Sequence, residues 1–374
     1  MSLLYDEGQQ AIASESRRIA DARTDKARLL ALLEQTGQHD TSYWEMAREQ
    51  GWTALALPED FGGLDLGLVE LGIVAQATGA ATAGAPFLTT NYGAAQALLG
   101  GEDDALRQRW LPLLASGEAI AAVAFAEGQS PLPDRPTTRL TDAGLTGEKP
   151  GVTAGAQAQI AIVWALHDGE PALVLAELRD EQRRVVSSYD NSRGHADLTF
   201  IATPASLIAK GETAQRLALD VLARMAVVTA HEQTGGAEAL MHIARDYALT
   251  RKAFGQPIGA FQSVKHRIAE LYALVEIARA NCIHAASRAG EPDFITAAAA
   301  ARLSATEAYD TAARDCVQVH GGIGVTWESG LHLHMRRARS LAIEQGNLMW
   351  WEDLLVSELT AHFDRDEHAL EAAQ

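Results

Sequence analysis

Of the twelve histidines in this sequence, three lie between residues 318 and 347, where candidate chemistry clusters. His320, His332 and His334 carry imidazoles, which titrate near neutral pH. His332 and His334 are two residues apart and would face different sides of a helix, so a shared metal is not expected. Glu344 offers a carboxylate, while its neighbour Gln345 offers only an amide, which cannot accept a proton. Cys282 and Cys316 stand 34 positions apart with no CxxC spacing and read as small buried apolar residues, not as a zinc site or a disulfide. Two groups stand out by their spacing: Arg251, Phe254, Gly255 and Ile258 followed by Gln262, and Gln318 followed by His320, Gly321 and Gly322. Taken singly, each is ordinary. Arg251 suits a helix end, Phe254 a core, and the glycine pair a helix C-cap with a turn.

These residues need a scaffold, and the apolar pattern supplies one in three parts. Residues 1–118 read as a helical domain. Thr41 is placed to cap a helix from Ser42 towards Gly51, Gly62 and Gly63 break the pattern, and further helices are expected over 66–77 and 103–114. Residues 119–208 show short apolar runs at 119–125, 159–166, 172–178 and 184–188, separated by turn residues. His167 to Pro171 is a hairpin turn between two of them, and the segment reads as an antiparallel β domain. Residues 209–374 return to a helical period, with Leu240, Ile243 and Tyr247 on one face and Val264, Ile268, Leu271 and Val275 on another. Asp293 is placed to cap a third helix that Gly321 and Gly322 would end, and four long helices make a bundle. Gly235 and Gly236 inside a helix cost about 1 kcal/mol each relative to alanine, which implies close backbone approach there. The fold class is α+β, mainly α.

Bulk composition narrows the function. The chain has 374 residues, 47% hydrophobic and 21% charged, as in ordinary globular proteins. A net charge of -18, from 49 acids against 31 bases, disfavours nucleic acid and anionic membranes as partners. The acidic start MSLLYDEGQQ lacks a secretory signal pattern, and no run approaches a membrane span, so a cytoplasmic protein is expected.

In order along the chain, Gly147-Glu148-Lys149 with Thr153, Arg251 to Ile258 with Gln262, Gln318 to Gly324, and Arg336 to Asn347 resemble the signatures of acyl-CoA dehydrogenases. The resemblance covers nearly the whole chain. It implies FAD as cofactor, with the flavin between the β domain and the bundle of one subunit and the adenosine and pyrophosphate end reaching a neighbour. By the same resemblance Arg251 would face the pyrophosphate, Phe254 would cover apolar cofactor surface, and Gln262 and Gln318 would bond near the adenosine. Gly321 and Gly322 would admit close backbone approach, Thr153 would bond the flavin ring, and Asn347 would join the cofactor contacts.

The resemblance also marks what this chain lacks. The family takes an α-proton from an acyl-CoA thioester with a glutamate where this chain has Gln345, or with one where it has Met225, beside Ala226. Glu344 is displaced by one residue, would point away, and is read as a solvated carboxylate. The family's flavin loop, Thr-Glu-Pro-Gly-x-Gly-Ser, is reduced here to Ala126-Glu127-Gly128-Gln129-Ser130, and its flavin-shielding tryptophan is replaced by Gly151. The pattern resembles the base-lacking subunits of heteromeric acyl-CoA dehydrogenases of bacterial steroid side-chain degradation. It implies a heterotetramer with a related, glutamate-bearing subunit, an acyl-CoA substrate and an electron-transfer flavoprotein as acceptor. Two alternatives stay open: a self-sufficient homotetrameric enzyme with an atypical base, and an acyl-CoA-binding or scaffold protein without flavin.

Overall fold

A computed structural model describes residues 5–83 and 86–372. Six helices come first: α1 (Glu7–Arg23), α2 (Lys26–Leu33), α3 (Thr41–Glu49), α4 (Leu68–Ala80), α5 (Phe87–Gly100) and α6 (Asp104–Ala115). The cap of α3 is Asp40, whose carboxylate accepts from the Tyr43 amide at 3.0 Å, and Thr41 is instead the first helical residue. A carboxylate at this position also suits the positive end of the helix dipole. Helix α5 was not legible as a separate element, because it is buried almost all round and shows no polar face.

Eight strands follow: β1 (Ala121–Ala124), β2 (Arg139–Thr141), β3 (Gly144–Val152), β4 (Ile160–His167), β5 (Glu170–Glu177), β6 (Arg183–Val185), β7 (Ala196–Thr203) and β8 (Ala205–Lys210). They form one sheet in the order β6-β7-β3-β2-β4-β5-β8, with β1 also paired to β4. Most pairings are antiparallel, but β1 and β2 both run parallel to β4, so the sheet is mixed. Residues 125–138 between β1 and β2 make the two parallel strands possible, since such strands cannot share a tight hairpin. The β4–β5 hairpin closes as the sequence suggests: Asp168 and Gly169 both take positive φ, at 51° and 82°, as a two-residue turn of this kind requires.

The third part is built on α7 (Gly211–Thr250), a single helix of 40 residues. The small hairpin of β9 (Lys252–Ala253) and β10 (Gln256–Pro257) follows, then α8 (Gln262–Ser287), α9 (Phe294–His320), α10 (Leu331–Leu341) and α11 (Leu348–Ala372). Asp293 precedes α9 without capping it, because its carboxylate is paired to Arg288 at 2.7 Å. Cys282 and Cys316 are free and buried, and burial pushes both thiols up to about 12.

Helix α7 runs through the centre, packed on α9, α4, α8 and α5. Gly235 and Gly236 explain how closely. A Cβ on Gly235 would stand 1.9 Å from the Gln76 carbonyl oxygen of α4, and one on Gly236 2.3 Å from the Tyr309 ring of α9. Because the first obstacle is backbone, Gly235→Ala forces α4 and α7 apart. A loss of about 1 to 3 kcal/mol is expected, read as a lower urea midpoint. An unchanged midpoint would show that the two helices are not held at this spacing.

Candidate functional site

A cavity of about 670 Å³ lies between the sheet and the bundle. Its walls come from α5 (Thr90), β1 and the loop after it (Val123 to Pro131), the end of β3 (Pro150 to Thr153), α7 (Leu222, Met225) and the α10–α11 connection (Ile343 to Asn347). The two positions where a base was sought, Gln345 and Met225, thus border one space, together with Thr153 and Asn347. No carboxylate stands at either position.

Gln345 is held in a set conformation. It takes φ of 57°, in the left-handed region that non-glycine residues rarely adopt. Its side-chain oxygen accepts from the Thr229 hydroxyl at 3.0 Å, and its backbone carbonyl accepts from the Trp351 indole at 3.1 Å. Met225 is buried, with its thioether over Gly93 of α5, where any Cβ would come within 2.4 Å of the sulfur.

Glu344 is not the solvated carboxylate expected. It is 7% exposed, and Arg193 binds it with both arms, Nε to Oε1 at 3.0 Å and Nη2 to Oε2 at 2.7 Å. Burial works against its charge, but the Arg193 guanidinium prevails and holds the carboxyl below its usual range. Local helical geometry alone could not show this, because the partner lies 151 residues away. With both oxygens occupied, Glu344 is a poor acceptor for a substrate proton.

This pair belongs to a buried ionic cluster that fixes the cavity floor. Arg193 also bonds Glu232 of α7 at 3.1 Å. Arg337 of α10 binds Asp190 at 2.5 Å, Glu232 at 2.7 Å and the Ala83 carbonyl at 2.8 Å. Arg302 of α9 donates to the carbonyls of Leu341 and Glu344 and to the side chains of Gln233 and Thr306. Two arginines thus pair with three acids and Arg302 braces the backbone beside them, so α7, α9, α10 and the loop before β7 are tied to the segment that carries Gln345. Burial lowers the Arg302 pKa to about 10, so it stays charged at neutral pH.

In the loop after β1, Glu127 is bound by Lys149 at 2.6 Å and by the hydroxyls of Thr137 and Thr138 at 2.7 and 2.8 Å. Burial opposes its charge, but Lys149 and Thr137 bring its pKa down to about 2. At Gly151, a Cβ would meet nothing within 4 Å, so the space of a shielding aromatic is open.

The other cofactor candidates lie elsewhere. Arg251 caps the C-terminal end of α7, Gln262 begins α8, and Gln318, Gly321 and Gly322 close α9, so they share one end of the bundle. The Tyr247 and His320 rings stack there at 4.0 Å and tie α7 to α9. Phe254 is 97% exposed at the tip of the β9–β10 hairpin, which excludes the core reading. Both Gly321 and Gly322 have open space where a Cβ would be. From Met225 to Arg251 the continuous helix α7 rises about 1.5 Å per residue, which separates the two groups by roughly 39 Å.

Of the histidines, His320 stacks on Tyr247, His332 stacks on Trp327 at 4.3 Å, and His334 is buried against the Tyr309 hydroxyl at 2.9 Å. Burial takes His334 down to about 3, out of the neutral range. None of the three borders the cavity. His195 does, and it was missed: its neighbours in sequence gave no motif, and only the loop before β7 brings it to Glu344, 3.8 Å away. Burial lowers its pKa, so its ring is neutral at pH 7.

Two family models match the sequence: the N-terminal domain of acyl-CoA dehydrogenases over residues 6–118 and their C-terminal domain over 215–348. The acyl-CoA dehydrogenase IpdE2 of Mycobacterium tuberculosis is 33% identical over 305 residues, 81% of this chain and 82% of that protein. The chain belongs to the acyl-CoA dehydrogenase family. Members of that family are FAD-dependent oxidoreductases with helical domains on either side of a central sheet, the fold seen here. FadE34 of the same organism is 32% identical over 295 residues, 78% of this chain but 38% of its own length. Among solved structures, the ChsE4-ChsE5 complex of M. tuberculosis matches with a TM-score of 0.85 at 26% identity, over 96% of this chain and 99% of the other. A variant of the Tcur3481-Tcur3483 steroid acyl-CoA dehydrogenase matches with a TM-score of 0.85 at 25% identity over the same shares. No helix among the described residues is long and apolar enough to cross a membrane.

Proposed function

We propose that this chain is the base-lacking subunit of a heteromeric acyl-CoA dehydrogenase, and that it completes the FAD site of a related partner that carries the catalytic glutamate. The observation that carries this reading is the division of the site. Gln345 and Met225 leave the cavity without a proton acceptor at either expected position, while the residues suited to a dinucleotide stand roughly 39 Å away along α7. That separation supports a reading in which the exposed group serves a cofactor whose flavin lies in another subunit.

The two ends differ in how well they fit FAD. At the bundle end, the exposed Phe254 ring, the Arg251 guanidinium and the open backbone at Gly321 and Gly322 suit an adenosine and a pyrophosphate. At the cavity end, Thr153 remains, but the shielding aromatic is absent and Glu127 is committed to Lys149. Bound FAD would accept the β-hydride of an acyl-CoA thioester in the partner's site, as the partner's carboxylate takes the α-proton. The role of this chain is to bind and orient the far end of the cofactor. A steroid side-chain CoA ester is the proposed substrate, supported by the steroid dehydrogenase of similar fold, and an electron-transfer flavoprotein is the proposed acceptor.

Native mass and flavin content test this directly. The chain purified alone is expected to lack flavin, and co-expression with a glutamate-bearing relative should give a heterotetramer with one FAD per pair of unlike chains. A homotetramer with one FAD per chain that oxidises an acyl-CoA by itself would refute the proposal.

A further inference from the structure

A second, smaller hollow of about 330 Å³ shares no residue with the cavity between sheet and bundle. It is enclosed by the end of α1, the start of α2, the segment after α4, Ile243 of α7 and the start of α10. His334 lines it and is 7% exposed. Its Nδ1 meets the Tyr309 hydroxyl at 2.9 Å, while its Nε2 has no partner among the described residues. That Nε2 is not closed to water, whereas both ring nitrogens of the buried His231 are.

The proton on the His334 ring can be placed. Tyr309 is 1% exposed, and His334 is the one partner of its hydroxyl among the described residues. Were Nδ1 protonated, the buried O–H would have no acceptor, a costly arrangement. Tyr309 therefore donates to Nδ1. Burial keeps the ring neutral at pH 7, so its proton sits on Nε2 and a buried N–H is presented to the hollow.

The rim beside it favours an anion. Gly330, the N-cap of α10, has no side chain to cap the first turn, which leaves the positive end of that helix open. Lys26 reaches the same point: its ammonium donates to the carbonyls of Glu328 and Ser329 at 2.8 and 2.9 Å, and one of its three N–H groups remains. His334 stands four residues beyond Gly330, about 6 Å along the helix. Asp21, on the same rim and without an ion pair among the described residues, opposes a dianion more than a monoanion. Leu29, Ile243, Leu331 and Leu333 add apolar wall, and the volume is at the lower end for small-molecule sites.

We propose that this hollow binds a short-chain aliphatic monocarboxylate, with an oxygen accepting from His334 Nε2–H, the charge facing Lys26 and the start of α10, and the hydrocarbon tail on the leucine and isoleucine side chains. None of these residues belongs to the sought base positions or to the exposed FAD group. The inference therefore stands or falls independently of the shared-site reading.

Nuclear magnetic resonance of the full chain with isotope-labelled histidine, titrated at pH 7 with butanoate, butanamide and inorganic phosphate, tests it. The His334 signal, assigned as the one missing in His334→Phe, is expected to show a protonated Nε2 and to shift as butanoate is added. Butanamide keeps the carbonyl without the charge and should bind roughly three- to tenfold more weakly, and phosphate should also bind more weakly than butanoate. Lys26→Gln should reduce the preference for butanoate over butanamide to about twofold or less. Lys26 is exposed, so this variant decides the matter even if His334→Phe does not fold. A hollow that holds only water would leave the histidine signals unmoved by butanoate. That result, a proton on Nδ1, equal affinities for butanoate and butanamide, phosphate bound as tightly as butanoate, or an undiminished preference in Lys26→Gln would each overturn the proposal.

Discussion

Replacing Arg193 with leucine is expected to lower the stability of this protein by about 3 to 5 kcal/mol at pH 7. Arg193 is fully buried and is the bidentate partner of Glu344. Glu232 keeps Arg337 at 2.7 Å when Arg193 is lost, but Glu344 keeps only the neutral His195 at 3.8 Å. A buried carboxylate would remain without a directly bonded cation, and that penalty exceeds the loss of the contact itself. The double variant Arg193→Leu with Glu344→Gln should recover roughly half of the loss or more, since the orphaned charge goes with its partner. Denaturant midpoints of the four proteins give the comparison. If the single variant unfolds at the wild-type midpoint, or the double variant is worse than the single, the cluster is not the support described.

The pH dependence has a definite sign. In the wild type the Glu344 and Asp190 carboxyls are held below their usual range: burial opposes this, and Arg193 and Arg337 respectively prevail. Groups with depressed pKa contribute stability that is present above the unfolded value and is lost as pH falls through the folded one. Acidification below about pH 4 should therefore weaken the wild type. In the Arg193→Leu variant burial acts on Glu344 without that arginine and raises its pKa. The gap between variant and wild type is then widest at neutral pH and narrows as acid neutralises the carboxylate.

How much of this was legible in the sequence depended on the range of the interactions involved. The β4–β5 hairpin was readable because Asp168 and Gly169 are local turn chemistry between two apolar runs. Gly235 and Gly236 were readable as close approaches, since glycine inside a long helix has a local cost, though not which neighbours approach. Strand β3 was harder to read: Gly144, Gly147 and Pro150 interrupt it, and its pairing with β7 shifts register twice. The parallel alignment of β1 and β2 with β4 depends on the path of the chain after β1, which no local pattern records.

The candidate site followed the same rule. The family resemblance marked Gln345 and Met225 as the positions where a base is expected, and both border one cavity. It could not give the state of Glu344, because Arg193 comes from a different part of the chain. Nor could it show His195, which has no motif of its own. A lone glutamate beside Gln345 reads as surface charge in sequence; the buried Arg193 makes it part of the core, where the ionic cluster shapes the loop that carries Gln345.

The second large effect is expected from Arg251→Ala in the complex with the partner subunit. Arg251 is exposed, and its side chain has no ion pair among the described residues. Its backbone is well anchored, with N–H donating to the Tyr247 carbonyl at 2.8 Å and C=O accepting from Ile258 at 2.8 Å. The substitution should therefore leave folding within about 0.5 kcal/mol of wild type. If Arg251 meets a pyrophosphate across the subunit boundary, a charge-assisted contact of about 1.5 to 3 kcal/mol is lost, and FAD affinity of the complex falls by roughly 10- to 150-fold. Lysine restores the charge but not the planar fork, so Arg251→Lys should recover only part of the affinity. Equilibrium dialysis of FAD against complexes that differ only at this residue gives the numbers. Equal flavin affinity in Arg251→Ala and wild-type complexes would remove the exposed end of the bundle from the cofactor site, and with it the reason to assign this chain to a shared one. A loss of affinity with an unchanged unfolding midpoint would instead locate the contribution of this subunit at a point roughly 39 Å from its own cavity.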